Sequence, residues 1–283
     1  MLNSTPQFVF ITGVSSGIGQ ATARHLMAAG YHVIGSVRRQ ADAADLTASP
    51  SGEGYFTPVL LDVTDRESVG RLRHTIEALL PPGQSLYAIV NNAGLVVGGP
   101  MKYLTEDELR AQMEVNFFAV VAVTQQLLPL LAAGSRVINV SSTSGIITVP
   151  LLAPYSASKF ALEALTLAWR GEMLPQQIYF VLLNPGPIQT PIWNKTNRSL
   201  ENKYADTEYA AGVARTVDIS KRLARRGYPP EKVAATIARI LRARRPKHRY
   251  WVVKRRFFYV GIPRFTPRAI LDRVLIRVLK LRT

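Results

Sequence analysis

The feature that most constrains the fold is a glycine-rich turn that directly follows an apolar run near the N-terminus. Residues 8–12 read FVFIT, a continuous apolar segment typical of a parallel strand buried on both faces. The turn, residues 13–19, reads GVSSGIG and opens a helix-forming segment that stops at Gly30. Glycines in such a turn let the backbone approach a pyrophosphate, whose charge the helix N-terminus favours. Strand, turn and helix together predict a dinucleotide-binding unit, although the glycines alone would fit any strand-to-helix connection.

The second predicted strand, residues 31–37, ends in two arginines that bear on the choice of dinucleotide. NAD-binding folds place an acid here to hold the ribose 2′-hydroxyl, whereas an arginine accommodates a 2′-phosphate. This chain has Arg38 and Arg39 at the strand end and no carboxylate. We therefore expect NADP(H) to be favoured over NAD(H). The alternative is that both arginines are solvated surface residues.

A candidate catalytic group lies in residues 142–159, which read STSGIITVPLLAPYSASK. Tyr155 and Lys159 are four residues apart, so on a helix their side chains share one face. A nearby ammonium favours the ionised phenol, so we expect Lys159 to lower the pKa of Tyr155. Ser142 ends an apolar, strand-like run that would aim its hydroxyl at the same site. The tyrosine–lysine pair is weak by itself, because a structural role is the more common explanation.

Five motifs occur in an order that resembles the short-chain dehydrogenase/reductase family. They are the glycine turn, Asn-Asn-Ala-Gly at 91–94, Asn116, the Tyr155–Lys159 pair with Ser142, and Pro-Gly at 185–186. Five motifs in the right order are hard to obtain by chance. The resemblance implies hydride transfer between a nicotinamide cofactor and a carbonyl or alcohol. Its implied catalytic residues are Asn116, Ser142, Tyr155 and Lys159.

The resemblance also implies which residues contact the cofactor. Asp62 and the amide of Val63 would contact the adenine, and the Thr190 hydroxyl would bond the nicotinamide carboxamide. Small residues at the end of the fourth strand leave room for a ribose. The full predicted cofactor-binding set is Gly13, Ser15, Ser16, Gly17, Ile18, Gly19, Arg38, Arg39, Asp62, Val63, Asn91, Ala93, Gly94, Tyr155, Lys159, Pro185, Gly186, Ile188 and Thr190.

Strands and helices alternate along the chain, which predicts an α/β fold with a doubly wound parallel sheet, the Rossmann fold, in a single domain. A long helix is predicted over residues 106–132, followed by a strand from Arg136. The expected organisation is a dinucleotide-binding and catalytic core at 1–190, a substrate lid at 191–230, and the last core helix and strand plus a basic tail at 231–283.

Composition excludes several classes of site. The chain has no cysteine and only four histidines, so disulfides and thiolate metal sites are excluded and no metal site is expected. The N-terminus lacks the basic and apolar regions of a signal peptide. No apolar stretch reaches the roughly 18 residues of a membrane-spanning helix. We therefore expect a cytoplasmic protein, with peripheral membrane binding left open.

The positive charge is concentrated in the C-terminal part of the chain. Residues 239–283 hold 15 Lys or Arg against one acid, Asp272, in a chain of net charge +16. A helix predicted over 269–281 has apolar residues on one half and three basic residues on the other. Such a helix suits an anionic membrane surface. The alternative is that its apolar stripe packs on the chain's own domain or on a second subunit.

We expect an NADP(H)-dependent oxidoreductase that interconverts a carbonyl and an alcohol on a lipophilic substrate, such as a steroid, a retinoid or another lipid-like ketone or aldehyde. The predicted substrate contacts are Ser142, Val149, Tyr155, Pro187 and Trp193. Val96, Ile146, Leu151 and Ile192 fit either an apolar cleft or the core. Family members are often dimers or tetramers, so a homo-oligomer is expected. No nucleic-acid motif accompanies the charge, so nucleic acid is not an expected partner.

Two other functions remain open from the sequence. One is a non-catalytic NADP-binding protein, a membrane-associated scaffold or sensor. The other is a sugar-nucleotide epimerase on a related fold, which would need a larger C-terminal substrate domain than the one available after Thr190.

Overall fold

A parallel seven-stranded sheet forms the centre of the computed structural model, which describes residues 7–48 and 54–281. In chain order the strands are β1 (Phe8–Ile11), β2 (His32–Val37), β3 (Phe56–Leu60), β4 (Leu86–Asn91), β5 (Leu131–Val140), β6 (Tyr179–Pro185) and β7 (Arg249–Val252). Side by side they run β3-β2-β1-β4-β5-β6-β7. In such sheets ligands bind where the winding direction reverses, here between β1 and β4. The predicted doubly wound α/β fold is confirmed.

Helices cover both faces of the sheet. In chain order the helices of the described residues are α1 (Gly17–Ala28), α2 (Ala44–Thr47), α3 (Arg66–Leu79), α4 (Glu106–Met113), α5 (Ala119–Leu127), α6 (Ala153–Met173), α7 (Ile192–Lys203), α8 (Ala210–Arg226), α9 (Pro230–Arg242), α10 (Ile262–Phe265) and α11 (Arg268–Leu279). Alternate residues of β1 point to opposite faces. Val9 packs in the core under α1 and α9, and Phe10 packs in the core under α3, α5 and α6. Because both faces are covered, β1 is apolar throughout.

The helix predicted over residues 106–132 is interrupted twice. A capping box between Thr105 and Glu108 starts α4, and residues Glu114–Phe118 then form a π-helical turn before α5. Pro129 lies in a short 3-10 turn, and β5 begins at Leu131 rather than at the predicted residue 136. Proline has no amide for the helical ladder, so the helix ends there.

Contrary to the sequence expectation, one helical stretch among the described residues, Glu106–Leu130, is long and apolar enough to cross a membrane by length and composition alone. Its polar side chains argue for a core helix instead. Gln112, Asn116 and Thr124 are buried, and each is hydrogen-bonded to another part of the same domain. In lipid these groups would lack such partners.

Residues 191–230 form α7 and α8, which enclose a small apolar cluster separate from the two main cores. Its buried members are Leu151, Leu200, Tyr204, Val213 and Val217. Leu151 adopts the left-handed conformation, with a φ of 66°, and belongs to this cluster rather than to an open cleft.

Beyond β7, residues 254–281, which we call the tail, form a π-helical turn (Phe257–Gly261), α10 and α11 on the surface. Helix α11 corresponds to the helix predicted over 269–281. Its C-terminal end packs on α8, where Leu279 is buried and Leu281 lies against Gly212. The rest of its apolar stripe is open, since Ile270 and Val274 are each 50% exposed.

Candidate active site

The glycine turn forms a compact cradle after β1. Gly13 and Gly17 have φ values of 71° and 58°, in the left-handed region that favours glycine. A Cβ on Gly19 would lie 2.1 Å from the Gly13 carbonyl oxygen, so a larger residue does not fit there. Ser16 makes no side-chain cap for α1, and the first turn of α1 holds no acidic residue. The start of α1 therefore suits an anionic group such as a pyrophosphate.

Two residues that the sequence analysis did not single out tie this turn to the end of β4. The Thr12 hydroxyl accepts hydrogen bonds from the amides of Asn92 and Ala93, both at 2.9 Å. The Asn92 side chain donates to the carbonyl oxygens of Thr12 and Gly13, at 3.0 and 2.9 Å. These hydrogen bonds join the Asn-Asn-Ala-Gly segment to the glycine turn. In the sequence, only the position of Asn92 inside the motif could have indicated its role.

The side chain of Asn91 does not reach this cradle. It is buried, and its amide nitrogen donates to Thr124 Oγ1 at 2.9 Å and to Asn139 Oδ1 at 2.8 Å. These bonds connect β4 with α5 and β5. A cofactor contact from Asn91 is therefore restricted to its backbone.

Arg38 and Arg39 lie exposed at the end of β2, but Arg39 is held by a carboxylate that the sequence analysis missed. Arg39 Nη2 lies 2.7 Å from Asp42 Oδ1, and Arg39 Nε donates to Asp42 Oδ2 at 3.2 Å. The hydrogen bond from Arg39 lowers the pKa of Asp42. Hydrogen bonds from Thr64 lower the pKa of Asp62, and the charge of Arg38 adds to this effect. Asp42 escaped notice because it lies beyond the strand end where an acid was sought.

Strand β5 and helix α6 bring the predicted catalytic group together. Ser142 follows β5, and its Oγ accepts a hydrogen bond from the Ser144 amide at 3.1 Å. Pro154 lies in the first turn of α6, where no amide is needed. Tyr155 and Lys159 follow on one face, with Lys159 Nζ 5.9 Å from the centre of the Tyr155 ring.

The pKa of Tyr155 differs from the sequence expectation. Burial raises the pKa of the phenol, and a hydrogen bond with Ser142 opposes this. The predicted lowering by Lys159 is not found, because Lys159 Nζ donates to the Val140 carbonyl oxygen at 2.8 Å instead. A phenol in this state stays protonated at neutral pH, so it can act as a proton donor.

Lys159 is also buried, and its own charge is affected. Burial lowers the pKa of Lys159 to about 8, and the Glu163 carboxylate counteracts this. Glu163 lies one turn further along α6 and is 5% exposed. It forms an ion pair with Arg249 of β7, with Nη1 and Oε2 2.5 Å apart.

The same carboxylate reaches Ser142 through one intermediate side chain. Asn184 Nδ2 donates to Glu163 Oε1 at 2.5 Å and to the Ser142 carbonyl oxygen at 2.9 Å. Asn184 Oδ1 accepts from Arg249 at 3.2 Å. Glu163, Asn184 and Arg249 thus form a buried network behind the catalytic group. The sequence analysis missed it, although Glu163 has the same four-residue spacing from Lys159 that Lys159 has from the tyrosine.

Asn116 lies in the π-helical turn and faces α6. Its Nδ2 donates to Ser158 Oγ and to the Leu95 carbonyl oxygen, both at 3.1 Å, and its Oδ1 accepts from the Leu95 amide at 3.0 Å. Ser158 Oγ in turn donates to the Tyr155 carbonyl oxygen at 2.8 Å. These bonds position the start of α6, whereas the proton relay from Asn116 to Lys159 stays a prediction.

The loop after β6 is anchored to β7 and lies against the glycine turn. The Gly186 amide donates to the Val252 carbonyl oxygen at 2.9 Å, which anchors the loop to β7. Thr190 lies against the glycine turn, because a Cβ on Gly17 would be 3.3 Å from Thr190 Cβ. Ile188 is buried and supports the loop from the core side. The loop and the glycine cradle are thus in contact.

Comparisons with known proteins agree with this geometry. The sequence profile of the family described as short chain dehydrogenase matches residues 7–201. The chain belongs to the short-chain dehydrogenase family. The NADPH-dependent 3-dehydrocapnine reductase of Ornithobacterium rhinotracheale is 36% identical over 280 residues, which cover 97% of this chain and 98% of the relative. The 3-ketodihydrosphingosine reductase of Bacteroides thetaiotaomicron is 33% identical over 246 residues, which cover 86% and 87%.

The fold of the short-chain dehydrogenase family is also seen in a solved relative. A short-chain dehydrogenase from Streptomyces avermitilis matches with a TM-score of 0.75 and 26% identity, over 98% of this chain and 96% of that one. The predicted family and enzyme class are confirmed, and the chain is an oxidoreductase. The roles of individual site residues stay predictions.

Helix α7 lies beside the predicted catalytic group of this short-chain dehydrogenase. Trp193 lies beside Tyr155, with ring centres 6.1 Å apart and planes at 73°. Thr196 Oγ1 donates to the Val96 carbonyl oxygen at 2.9 Å, so α7 crosses the loop after β4. Of the other residues considered for the cleft, Ile146, Val149 and Pro187 are half-buried, Val96 and Leu151 are buried, and Ile192 is exposed.

Proposed function

We propose that this short-chain dehydrogenase is an NADP(H)-dependent reductase of a ketone or aldehyde on a lipophilic substrate. The observation that carries the proposal is the convergence of Ser142, Tyr155 and Lys159, with the aromatic ring of Trp193 beside Tyr155. Two relatives named as reductases, one of 3-dehydrocapnine and one of 3-ketodihydrosphingosine, support a keto substrate. Steroid and retinoid carbonyls belong to the same proposed class.

The cofactor is NADP(H). The amides at the start of α1 would hold the pyrophosphate, and Arg38 and Arg39 would hold the 2′-phosphate, which a guanidinium matches in shape and charge. A relative named as NADPH-dependent supports this choice. Asp62 and Val63 would hold the adenine, and Ala93 and Gly94 would leave room for a ribose. The loop of Pro185, Gly186, Ile188 and Thr190 would hold the nicotinamide.

The residues of the chain handle the substrate oxygen and the proton. The bound nicotinamide supplies the hydride. The Ser142 hydroxyl donates a hydrogen bond to the substrate carbonyl oxygen and so stabilises the negative charge that develops there. Tyr155, kept protonated by its raised pKa, gives its proton to the same oxygen. Lys159 would hold the nicotinamide ribose, and Asn116 would complete the proton relay.

Helices α7 and α8, within residues 191–230, act as the substrate lid. Trp193 covers Tyr155, and Val149 and Pro187 are half-buried beside the catalytic loops. An aromatic and aliphatic wall of this kind favours a hydrocarbon substrate over a sugar.

The proposed assembly is a homo-oligomer.

The tail brings the enzyme to a membrane surface. Phe257, Phe258 and Phe265 are 68%, 62% and 82% exposed in a segment rich in arginine. Exposed aromatic rings beside cations suit the interface of an anionic bilayer, where each Lys or Arg contributes about 1 kcal/mol. The proposed location is therefore cytoplasmic and peripheral on a membrane.

The deciding experiment measures NADPH oxidation with a panel of long-chain ketones, aldehydes, ketosteroids and retinal, for the natural chain and for Tyr155→Phe. The variant keeps the ring and loses only the proton donor. We expect its turnover to fall by about a thousandfold, within the range that positioned proton transfer contributes. NADPH fluorescence should show that cofactor binding is retained.

Retained turnover in Tyr155→Phe would refute the catalytic assignment. Binding of NADPH without turnover of any compound in the panel would favour the non-catalytic sensor.

A further inference from the structure

A cavity of about 520 Å³ lies between the loop that follows Ser142 and the tail. Ile146 lines it on the catalytic side, and Arg256 and Arg264 line it from the tail. Arg249 of β7 also lines it. The cavity therefore lies between the loop that leads from Ser142 to Tyr155 and the most basic segment of the chain.

The charge of this cavity is positive. Three arginines line it, and no acidic residue lines it in the described part of the chain. Arg249 is neutralised by Glu163 at the back of the cavity. Arg256 and Arg264 are exposed, and neither has an ion-pair partner among residues 7–48 and 54–281. Asp272, the one acid of the basic segment, pairs with Arg268 instead. An anion entering the cavity would meet two uncompensated guanidiniums.

The remaining walls are aromatic and apolar. The guanidiniums of Arg249 and Arg256 lie 5.5 and 4.7 Å from the centre of the Trp251 ring, so cation–π contacts hold both in place. Phe257 and Phe265 are 68% and 82% exposed at the same cavity. Large exposed rings that rim a cavity mark a binding site for apolar groups. Arg256, held over Trp251, and Arg264 lie beside free aromatic surface, and this combination matches a ligand that has both an acidic group and a hydrocarbon chain.

Hydrogen bonds and an ion pair also link residues at the cavity to the catalytic group. Arg249 binds Glu163, and Glu163 accepts from Asn184, which donates to the Ser142 carbonyl oxygen. Arg268 of α11 donates to Thr148 Oγ1 at 3.1 Å, so the tail is attached to the loop that leads from Ser142 to Tyr155.

We propose that this cavity holds the acidic head group of an amphiphilic substrate, a carboxylate, phosphate or sulfonate, while the reacting carbonyl lies at Tyr155. The inference rests on the proposed reductase function and names its substrate class: lipid-like carbonyl compounds that carry a negative charge. Arg256 and Arg264 are then specificity-determining residues of the tail.

The test compares ω-oxododecanoic acid with its methyl ester as substrates of the full chain, with NADPH and without vesicles. We expect Arg256→Gln and Arg264→Gln each to raise KM for the acid about tenfold, the size of one lost charge-assisted hydrogen bond, and to leave KM for the ester unchanged. Arg245→Gln removes the same charge from an exposed residue before β7 and should change neither.

A second measurement does not depend on turnover. Calorimetry should show that dodecyl phosphate, below its micelle concentration, binds the natural chain more tightly than dodecanol and loses this advantage in Arg256→Gln. If the natural chain reduces no carbonyl compound, the proposed reductase function is wrong. The binding difference still tests whether the cavity holds an acidic head group.

Three results would overturn the inference. One is an equal KM change for acid and ester, and another is an equal effect of Arg245→Gln, which would mean that only the overall charge matters. The third is an effect of Arg256→Gln that appears only with anionic vesicles and is matched by Arg273→Gln on α11, which would assign the arginines to a bilayer.

Discussion

The edge of the sheet that holds the predicted catalytic group buries its polar side chains. The tail, in contrast, leaves large apolar side chains exposed. At the edge, Asn116, Lys159 and Glu163 are 1%, 6% and 5% exposed, and each makes contacts with named partners. In the tail, Phe257 and Phe265 are 68% and 82% exposed. Buried polar groups cost free energy unless they are paired, so the edge is constrained by its partners. The tail has no comparable constraint.

In the proposed function, the two regions have different roles: one contains the groups that react, and the other determines substrate and location. The family profile covers residues 7–201, which include every residue of the catalytic group, and it ends before the tail. The proposed head-group cavity and membrane surface both use the tail. Under the proposed function, residues within 7–201 carry out the reaction common to the family, and the tail adapts it to this chain's substrate.

The largest effect is expected where a buried ion pair is broken. Glu163→Gln leaves Arg249 without its carboxylate, and removal of one partner of a buried pair costs about 3–5 kcal/mol. Arg110→Gln is the matched control, because it breaks an exposed pair with Glu106 that contributes at most about 1 kcal/mol. Urea unfolding of both variants measures the contrast. Equal losses would show that the network behind the catalytic group is no more constrained than the surface.

Cofactor choice offers a smaller test at the edge. Replacement of both Arg38 and Arg39 by Ala should weaken NADPH binding by about tenfold or more and leave NADH binding nearly unchanged, because only NADPH carries the 2′-phosphate. Asp42→Ala should tighten NADPH binding, since it releases Arg39 from its carboxylate. Fluorescence titration with both dinucleotides checks this. An equal loss for the two would mean that these arginines do not read the phosphate.

The pH dependence should show how Glu163 acts on Lys159. Burial lowers the pKa of Lys159 to about 8 and the Glu163 carboxylate opposes this, so reductase activity should fall as the pH rises through about 8 and the ammonium loses its proton. In Glu163→Gln that opposition is lost, so the fall should begin at lower pH. The measurement is kcat/KM against pH for both chains. An unchanged or upward-shifted profile would contradict the assigned role of Glu163.

The sequence could predict the edge better than the tail for a physical reason. The glycine turn and the Tyr155–Lys159 spacing act through local backbone geometry, which one segment contains by itself. The pairing of Glu163 with Arg249 and the attachment of Asn92 to Thr12 join residues far apart in the chain, so they required the fold. The raised pKa of Tyr155 was missed for the same reason, because burial depends on every element packed around the phenol.

The tail also shows what an amphipathic sequence pattern cannot predict. An amphipathic stripe predicts α11 but not what covers it, and the structure leaves Ile270 and Val274 half exposed. The interruption of the helix at Asn116 has a similar cause. Its side chain bonds the loop at Leu95 and the helix at Ser158, and neither contact can be read from the residues around it.

The smallest effect on stability is expected in the tail, and it decides whether the tail's surface is free. Phe265→Ala removes a ring that is 82% exposed, so the free energy of unfolding should change by less than about 0.5 kcal/mol. Phe180→Ala, at a fully buried ring of β6, should cost about 3–5 kcal/mol. Cosedimentation with anionic vesicles should nevertheless weaken for Phe265→Ala, because burial of this ring in the bilayer interface is lost. A large and concentration-dependent loss of stability in Phe265→Ala would instead place a second subunit over the tail. The tail would then be exposed only in the isolated chain, and the contrast between the two regions would not hold in the assembly.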